Sequence, residues 1–396
     1  MAAAHTWRVL LSSSTLVAAL VVLYRTSWCF ALEKSRPDYT VYHNLSAVYA
    51  EVAALAETYP TYVQVDHRFK SGNGLSQLVV RLANFSDSTL QAAPQFRSYK
   101  VRALLLFGQR GGELVTVESA LHFLRQLFNG LSAPSHTVEG ALIVLVNPDG
   151  FNHAERTGDY CFDGTVSGAK MSSLFAWDLD KRLNSEPKTH VLLNLSRAQP
   201  YDAFVAFHSG SREIHLPYAG VQPGMFDHKP ANLEAMTAFA KEVALAIKPK
   251  FVYGQAQHLL NRQLNGTALD FMAGVRKVPF SVSIGLWEGL VSSTRSDCFR
   301  QLNPDGALLK ETLKELHPLY AAMFLHLIQW KEQQSRHAFS IESDGPSLLV
   351  CIAMLSLVVL VMVLFTCQRR LPDSMRFYPR RRVVSLKMLS SSLHSS

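Results

Sequence analysis

The sequence predicts an α/β domain on a mostly parallel or mixed sheet, with an apolar leader in front and a transmembrane helix behind. Three observations carry this reading. Between residues 36 and 330, continuous apolar runs alternate with stretches of helical periodicity. A short apolar run, Leu16 to Tyr24, stands near the start. A long uncharged run, Ser347 to Cys367, stands near the end. Apolar content of 48% is enough for a large buried core, while only 18% of residues are charged, which points to segments that avoid water.

The elements follow in order. Tyr42 to Thr58 has helical spacing, with Leu45, Val48, Val52 and Leu55 on one face. Gln77 to Leu82 and Val101 to Phe107 read as strands. Leu114, Val117, Leu121, Leu124 and Phe128 mark an amphipathic helix that Gly130 can stop. Ala141 to Val146 and Ala203 to Phe207 are apolar throughout, and Phe280 to Ile284 is interrupted only by Ser281 and Ser283, as strands covered on both faces are. Leu233 to Ile247 and Leu308 to Trp330 read as helices, the second bent or broken at Pro318. Buried strands alternating with helices define an α/β domain, in which ligands gather at the carboxyl ends of strands.

The ends set the compartment. Arg8 precedes the first apolar run and Ala31 offers a small-residue cleavage site, the pattern of a secretory signal peptide over residues 1–31. Arg25 interrupts the cleavage region, so an uncleaved signal anchor is the alternative. Residues 331–346 are polar and read as a stalk, and residues 347–367 are long enough to cross a bilayer as a helix. The tail, residues 368–396, carries seven basic residues and one acid, and faces the cytosol by the positive-inside rule. The tail and the two arginines of the leader account for the net charge of +8. The middle is therefore near neutral, and the composition gives no case for nucleic-acid binding. Cys351 and Cys367 lie in the span and Cys29 beside the leader. That leaves Cys161 and Cys298 as a candidate disulfide in an oxidising compartment. Sequons at Asn44, Asn84, Asn194 and Asn265 agree with a glycosylated lumenal or extracellular domain.

Eight phrases fall at expected strand ends: FGQRGGELVT, NPDGF, GDYCF, WDLDKRL, FHSG, NGTALDF, VPFSVSIGLW and DCFRQLNP. Their order and spacing resemble the zinc carboxypeptidase family, the carboxypeptidase A/B-like metallopeptidases, over residues 36–330. The resemblance implies a single domain with a mixed, mainly eight-stranded sheet flanked by helices. It implies zinc held by a His-x-x-Glu pair and a distant His, a glutamate base, and arginines and a tyrosine that grip a peptide's terminal carboxylate.

Carried onto this chain, the family pattern is broken at most chemical positions. Glu113 and His208 fall on two ligand positions, but Arg110 stands at the third. A guanidinium stays protonated and has no lone pair for a metal. Gly285 stands at the base position and has no side chain to take a proton. Glu288, three residues on, is a weak substitute. The family's DLNR phrase reads Asp178, Leu179, Asp180, Lys181, with Arg182 adjacent. Lysine cannot reproduce a bidentate carboxylate grip. Asp163 falls at another arginine position, Arg262 at the tyrosine position, and Asp270 closes the set of degenerate substrate contacts. His153, His190 and His215 are other histidines open to recruitment.

The residues thus favour a catalytically inactive, membrane-tethered family member that binds a peptide, glycan or protein, with zinc absent or weakly held. A working zinc carboxypeptidase with atypical ligands is the first alternative. A structural surface glycoprotein with a closed cleft is the second. In the leading reading Arg110 lies in the metal position and pairs with Glu113.

Overall fold

The computed structural model describes residues 36–86, 100–129, 138–162, 187–220, 229–264, 266–289, 297–343 and 348–370. Eight strands form one mixed sheet. They are β1 (Val63–Asp66), β2 (Leu78–Leu82), β3 (Val101–Leu106), β4 (Val138–Leu145), β5 (Ala203–His208), β6 (Glu213–Leu216), β7 (Val252–Gln255) and β8 (Phe280–Gly285). The spatial order is β1-β2-β4-β3-β5-β8-β6-β7. The centre, β4-β3-β5-β8, is parallel, whereas β1, β2 and β4 pair antiparallel, as do β6 and β8. The expected eight-stranded mixed sheet is therefore present. The short outer strands β1, β6 and β7 escape sequence reading, because four half-polar residues carry too little periodicity.

Alternation along the central strands divides the core. Ala103, Leu105 and Phe107 face one cluster of buried residues, and Leu104 and Leu106 face another. The main helices are α1 (Leu45–Thr58), α2 (Leu114–Asn129), α3 (Pro148–Thr157), α4 (Pro187–Ala198), α5 (Leu233–Leu245), α6 (Cys298–Leu302), α7 (Gly306–Ser343) and α8 (Leu348–Arg370). Buried residues of α1, α2, α5 and α7 join the first cluster, and those of α4 join the second. Phe107 and Phe207 stack with centroids 4.2 Å apart, and Tyr320 of α7 lies against Phe207 at 5.6 Å.

Local sequence explains the helix ends. Asn44 caps α1, its side chain accepting from Ala47 N at 2.8 Å. Asn147 caps α3 ahead of Pro148, and Gly158 closes it in the left-handed region. The expected break at Pro318 is not found. Helix α7 runs through it, because Leu316, Leu319, Tyr320, Met323 and Leu327 are buried on both sides of the proline. That packing compensates for the one backbone bond a proline removes. The helix also continues to Ser343, into the segment read as a stalk.

The chain divides into two compact units, Met1–Gln333 and Gln334–Ser396. In the second unit, α8 has 23 residues, but its side chains are described only over 352–367. Over the described residues no helix is long and apolar enough to cross a membrane. From Ile352 to Phe365 the large apolar side chains of α8 are all exposed. Gly130 lies outside the described residues.

The segment before α1 is tied to α2 by charge. His43 Nδ1 meets Glu118 Oε2 at 2.8 Å and His43 Nε2 meets Glu51 Oε2 at 2.9 Å. Arg125 pairs with the same Glu51. The hydrogen bonds to Glu118 and Glu51 raise the His43 imidazole to about 9, against the effect of burial. A raised histidine contributes stability that is complete below its unfolded value of 6.5 and is lost as pH climbs through about 9. Thermal melts of the full chain in detergent should show that fall in Tm, and His43→Gln should flatten it. An equal fall in the variant would remove His43 as its cause.

Candidate active site

The loop after β3 and the ends of β5 and β8 meet at the carboxyl edge of the sheet. There β3 connects to β4 on one side and neighbours β5 on the other. This is a topological switch point, where open α/β sheets bind ligands. A cleft of about 360 Å³ lies there, lined by residues that include Gln109, Arg110, His208, Ser211, Glu213, His215, Arg262, Ser283 and Gly285.

Close backbone approach positions the loop. A Cβ on Gly111 would collide with the Gly150 carbonyl, and one on Gly112 with the Tyr160 carbonyl. Asn147 Nδ2 donates to Gln109 O at 3.2 Å. Asn303 donates to Gly112 O at 2.7 Å and accepts from Val115 N at 2.9 Å. Asp149 is buried and accepts from Ser71 Oγ at 2.7 Å. The NPDG and LNP phrases thus brace the loop that carries Arg110 and Glu113. The disulfide Cys161–Cys298 is present, with Cα atoms 5.2 Å apart.

At the cleft floor, Glu113 is 0% exposed and its Oε1 pairs with Arg110 Nη1 at 3.4 Å. Its other oxygen, Oε2, is buried with no hydrogen-bond partner among the described residues. His208 Nδ1 faces that oxygen at 3.8 Å, too far for a hydrogen bond. The Gln109 amide nitrogen lies 3.2 Å from His208 Nε2. With the amide donating, the imidazole proton is assigned to Nδ1, on the side of Glu113.

The donor set can be tested against zinc. Glu113 Oε2 and His208 Nδ1 are less than two zinc–ligand bonds of about 2.0–2.2 Å apart, but with the proton on Nδ1 only the carboxylate offers a lone pair. The third position carries Arg110, which offers no lone pair. His215 lines the same cleft, but its Nε2 is engaged by Glu213 Oε2 at 2.8 Å. Burial lowers the His215 imidazole despite that bond, and neighbouring His208 adds to the fall. Among the described residues no three His, Cys, Asp or Glu side chains converge on a metal position. The described residues do not fit a catalytic zinc.

Backbone fills the space beside Gly285. Gly285 ends β8, opposite His208 of β5. A Cβ there would collide with Ser211 O and crowd Ser211 Oγ. Ser211 and Trp287 form an isolated bridge that holds this loop in place. Glu288 is not a substitute base: it is exposed and lines a separate shallow pocket with Arg212, Trp287, Glu311 and Glu315.

Other expected site residues divide. Arg262 is exposed on the cleft wall. Asp270 does not present its carboxylate to the cleft. Its oxygens accept from Ala219 N at 2.8 Å and Gly220 N at 2.9 Å, so it is a loop anchor rather than a substrate contact. Burial raises the Asp270 carboxyl to about 6, although those amides favour its charge. His153 packs on Phe162, and His190 is exposed on α4; neither lines the cleft. Asp163, Asp180, Lys181, Arg182 and Asn265 lie outside the described residues. Asn194 is exposed, and Asn44 and Asn84 are partly so. Gln109, Ser211 and Glu213 belong to the cleft without having been read from the sequence. Gln109 stands beside Arg110 in a quoted phrase, but only the fold aims it at His208.

The sheet and this cleft define a carboxypeptidase-like α/β fold. Residues 159–292 match the family model described as zinc carboxypeptidase. Carboxypeptidase A from Helicoverpa armigera superposes with a TM-score of 0.61 at 18% identity, covering 79% of this chain and 81% of that one. Thrombin activatable fibrinolysis inhibitor gives 0.58 at 17%, covering 73% and 75%. The bovine form, in complex with tick carboxypeptidase inhibitor, gives 0.57 at 16%, covering 74% and 99%. Comparison with curated protein sequences gives no match.

Because Ser211 occupies the space beside Gly285, Gly285→Ala should destabilise by about 1–3 kcal/mol through overpacking. Chemical denaturation reads this. Unchanged stability would mean that Ser211 withdraws freely and that the base position is not closed.

Proposed function

We propose that this chain is a membrane-tethered member of the zinc carboxypeptidase family that has lost hydrolysis and uses its cleft to bind a peptide or protein. The observation that carries this reading is Arg110 at a ligand position, paired with Glu113 at 3.4 Å. The filled space beside Gly285 supports it, since a general base needs a side chain within reach of its proton. The cleft remains open enough for a ligand, with Arg262 on its wall to meet an anionic group.

The domain would face the lumen or exterior, with α8 as its anchor and the basic tail in the cytosol. The uncharged run Ser347 to Cys367 in the sequence supports the anchor, since a helix over it would match a hydrocarbon core of about 30 Å. A helix with exposed apolar residues on all sides is stable in lipid rather than in water.

The competing reading is a working carboxypeptidase with atypical ligands. His215 in the cleft favours it, but the bond to Glu213 stands against it. The full chain in detergent distinguishes the two. We expect no stoichiometric zinc and no release of a C-terminal residue from peptides. A peptide captured from a random-sequence library should bind about tenfold more weakly to Arg262→Ala, through loss of a charged hydrogen bond. Stoichiometric zinc with turnover would establish the enzyme instead. Absence of any peptide binding would leave the structural-glycoprotein reading.

A further inference from the structure

The cleft floor presents an electrostatic problem. Glu113 is withdrawn from water, and one of its oxygens has no hydrogen-bond partner among the described residues. A buried carboxylate without a counter-charge is strongly disfavoured. His208 does not close the gap, because its Nδ1 stops at 3.8 Å. The nearest cation shown is the Arg110 guanidinium, which is 37% exposed and reaches the carboxylate from the cleft side. Gly111 and Gly112 allow the loop to lie close enough for this, since side chains there would collide with Gly150 and Tyr160.

We propose that Arg110 is the resident cation of this site, and that Glu113 and His208 remain two corners of a latent metal position that Arg110→His would open. Deepening the non-catalytic reading, on which it rests, this assigns the guanidinium the charge-balancing role a dication would otherwise play. The separation of Glu113 Oε2 and His208 Nδ1 suits one bridging ion. Gln109 faces His208 Nε2 at 3.2 Å, so metal uptake requires the amide to turn its oxygen to Nε2, which moves the imidazole proton there and frees the Nδ1 lone pair. What the site lacks is a third lone pair and the freedom of a position now taken by a fixed positive charge. The closed space beside Gly285 is a separate loss, so regaining a metal would not regain hydrolysis.

Thermal melts of the full chain in detergent, without added metal or peptide, test the first half. Arg110→Met should lower Tm by at least about 5 °C, because it leaves a buried charge unpaired. Glu113→Gln in the same chain should recover most of that loss. An unchanged Tm in Arg110→Met, or additive losses in the double variant, would overturn the proposal. Should Arg110→Met not fold alone, recovery of a folded chain in the double variant supports the pairing, and failure of both refutes it. Zinc competition against a chromophoric chelator tests the second half. Arg110→His should take up about one zinc with a rise in Tm, and adding His208→Ala should abolish both. No zinc uptake by a folded Arg110→His would sink the latent site. Stoichiometric zinc with turnover in the unaltered chain would instead overturn the non-catalytic reading, so the two failures are distinct.

Discussion

The constraint that organises this cleft is charge balance around one buried carboxylate. Glu113 sits at the start of α2, under the loop that leaves the central strand β3. Its environment is set by the fold and excludes water, so its charge must be met from within the protein. Arg110, one helical turn upstream, meets it as an ion pair. A guanidinium can do so without the directional lone-pair geometry that a metal demands of its ligands. A guanidinium supplies one positive charge, and it neither polarises a carbonyl as a Lewis acid nor activates a water.

The second loss is steric. At the end of β8 the space a side chain would need is filled by Ser211. The ion pair at Glu113 and the filled space beside Gly285 are independent features, and the proposed loss of hydrolysis rests on both. What persists is the bracing: Asn147, Asp149, Asn303, the close-packed glycines and the disulfide. These parts keep the loop and strand ends together whether or not a reaction takes place among them. A cleft lined by Arg262, His208 and His215 therefore survives as a shaped, polar surface suited to binding.

Much of this was legible in the order of short phrases. FGQRGGE and FHSG placed Glu113, Arg110 and His208 together before any coordinates, because family spacing carries three-dimensional information that periodicity does not. Central strands were legible for a simpler reason: they are buried on both faces and read as unbroken apolar runs. The outer strands were not, since four half-exposed residues have no distinctive pattern. Pro318 does not break α7, because the local rule against interior prolines was outweighed by buried residues on either side of it. Asp270 and Glu288 misled for a related reason: a carboxylate near a site in sequence gives no direction for its side chain. In space one caps a backbone turn and the other faces a different pocket.

By itself the sequence determined which functional groups the cleft can contain: a protonated guanidinium where a lone pair is needed, and no side chain where a base is needed. Those are properties of residue types and need no coordinates. Tertiary structure alone decided how those groups are disposed. It made Glu113 fully buried, left one of its oxygens without a hydrogen bond, turned His208 Nδ1 toward that oxygen and put Ser211 against Gly285. Burial and mutual distance arise from segments remote in sequence meeting at one sheet edge, which is why no local reading could supply them.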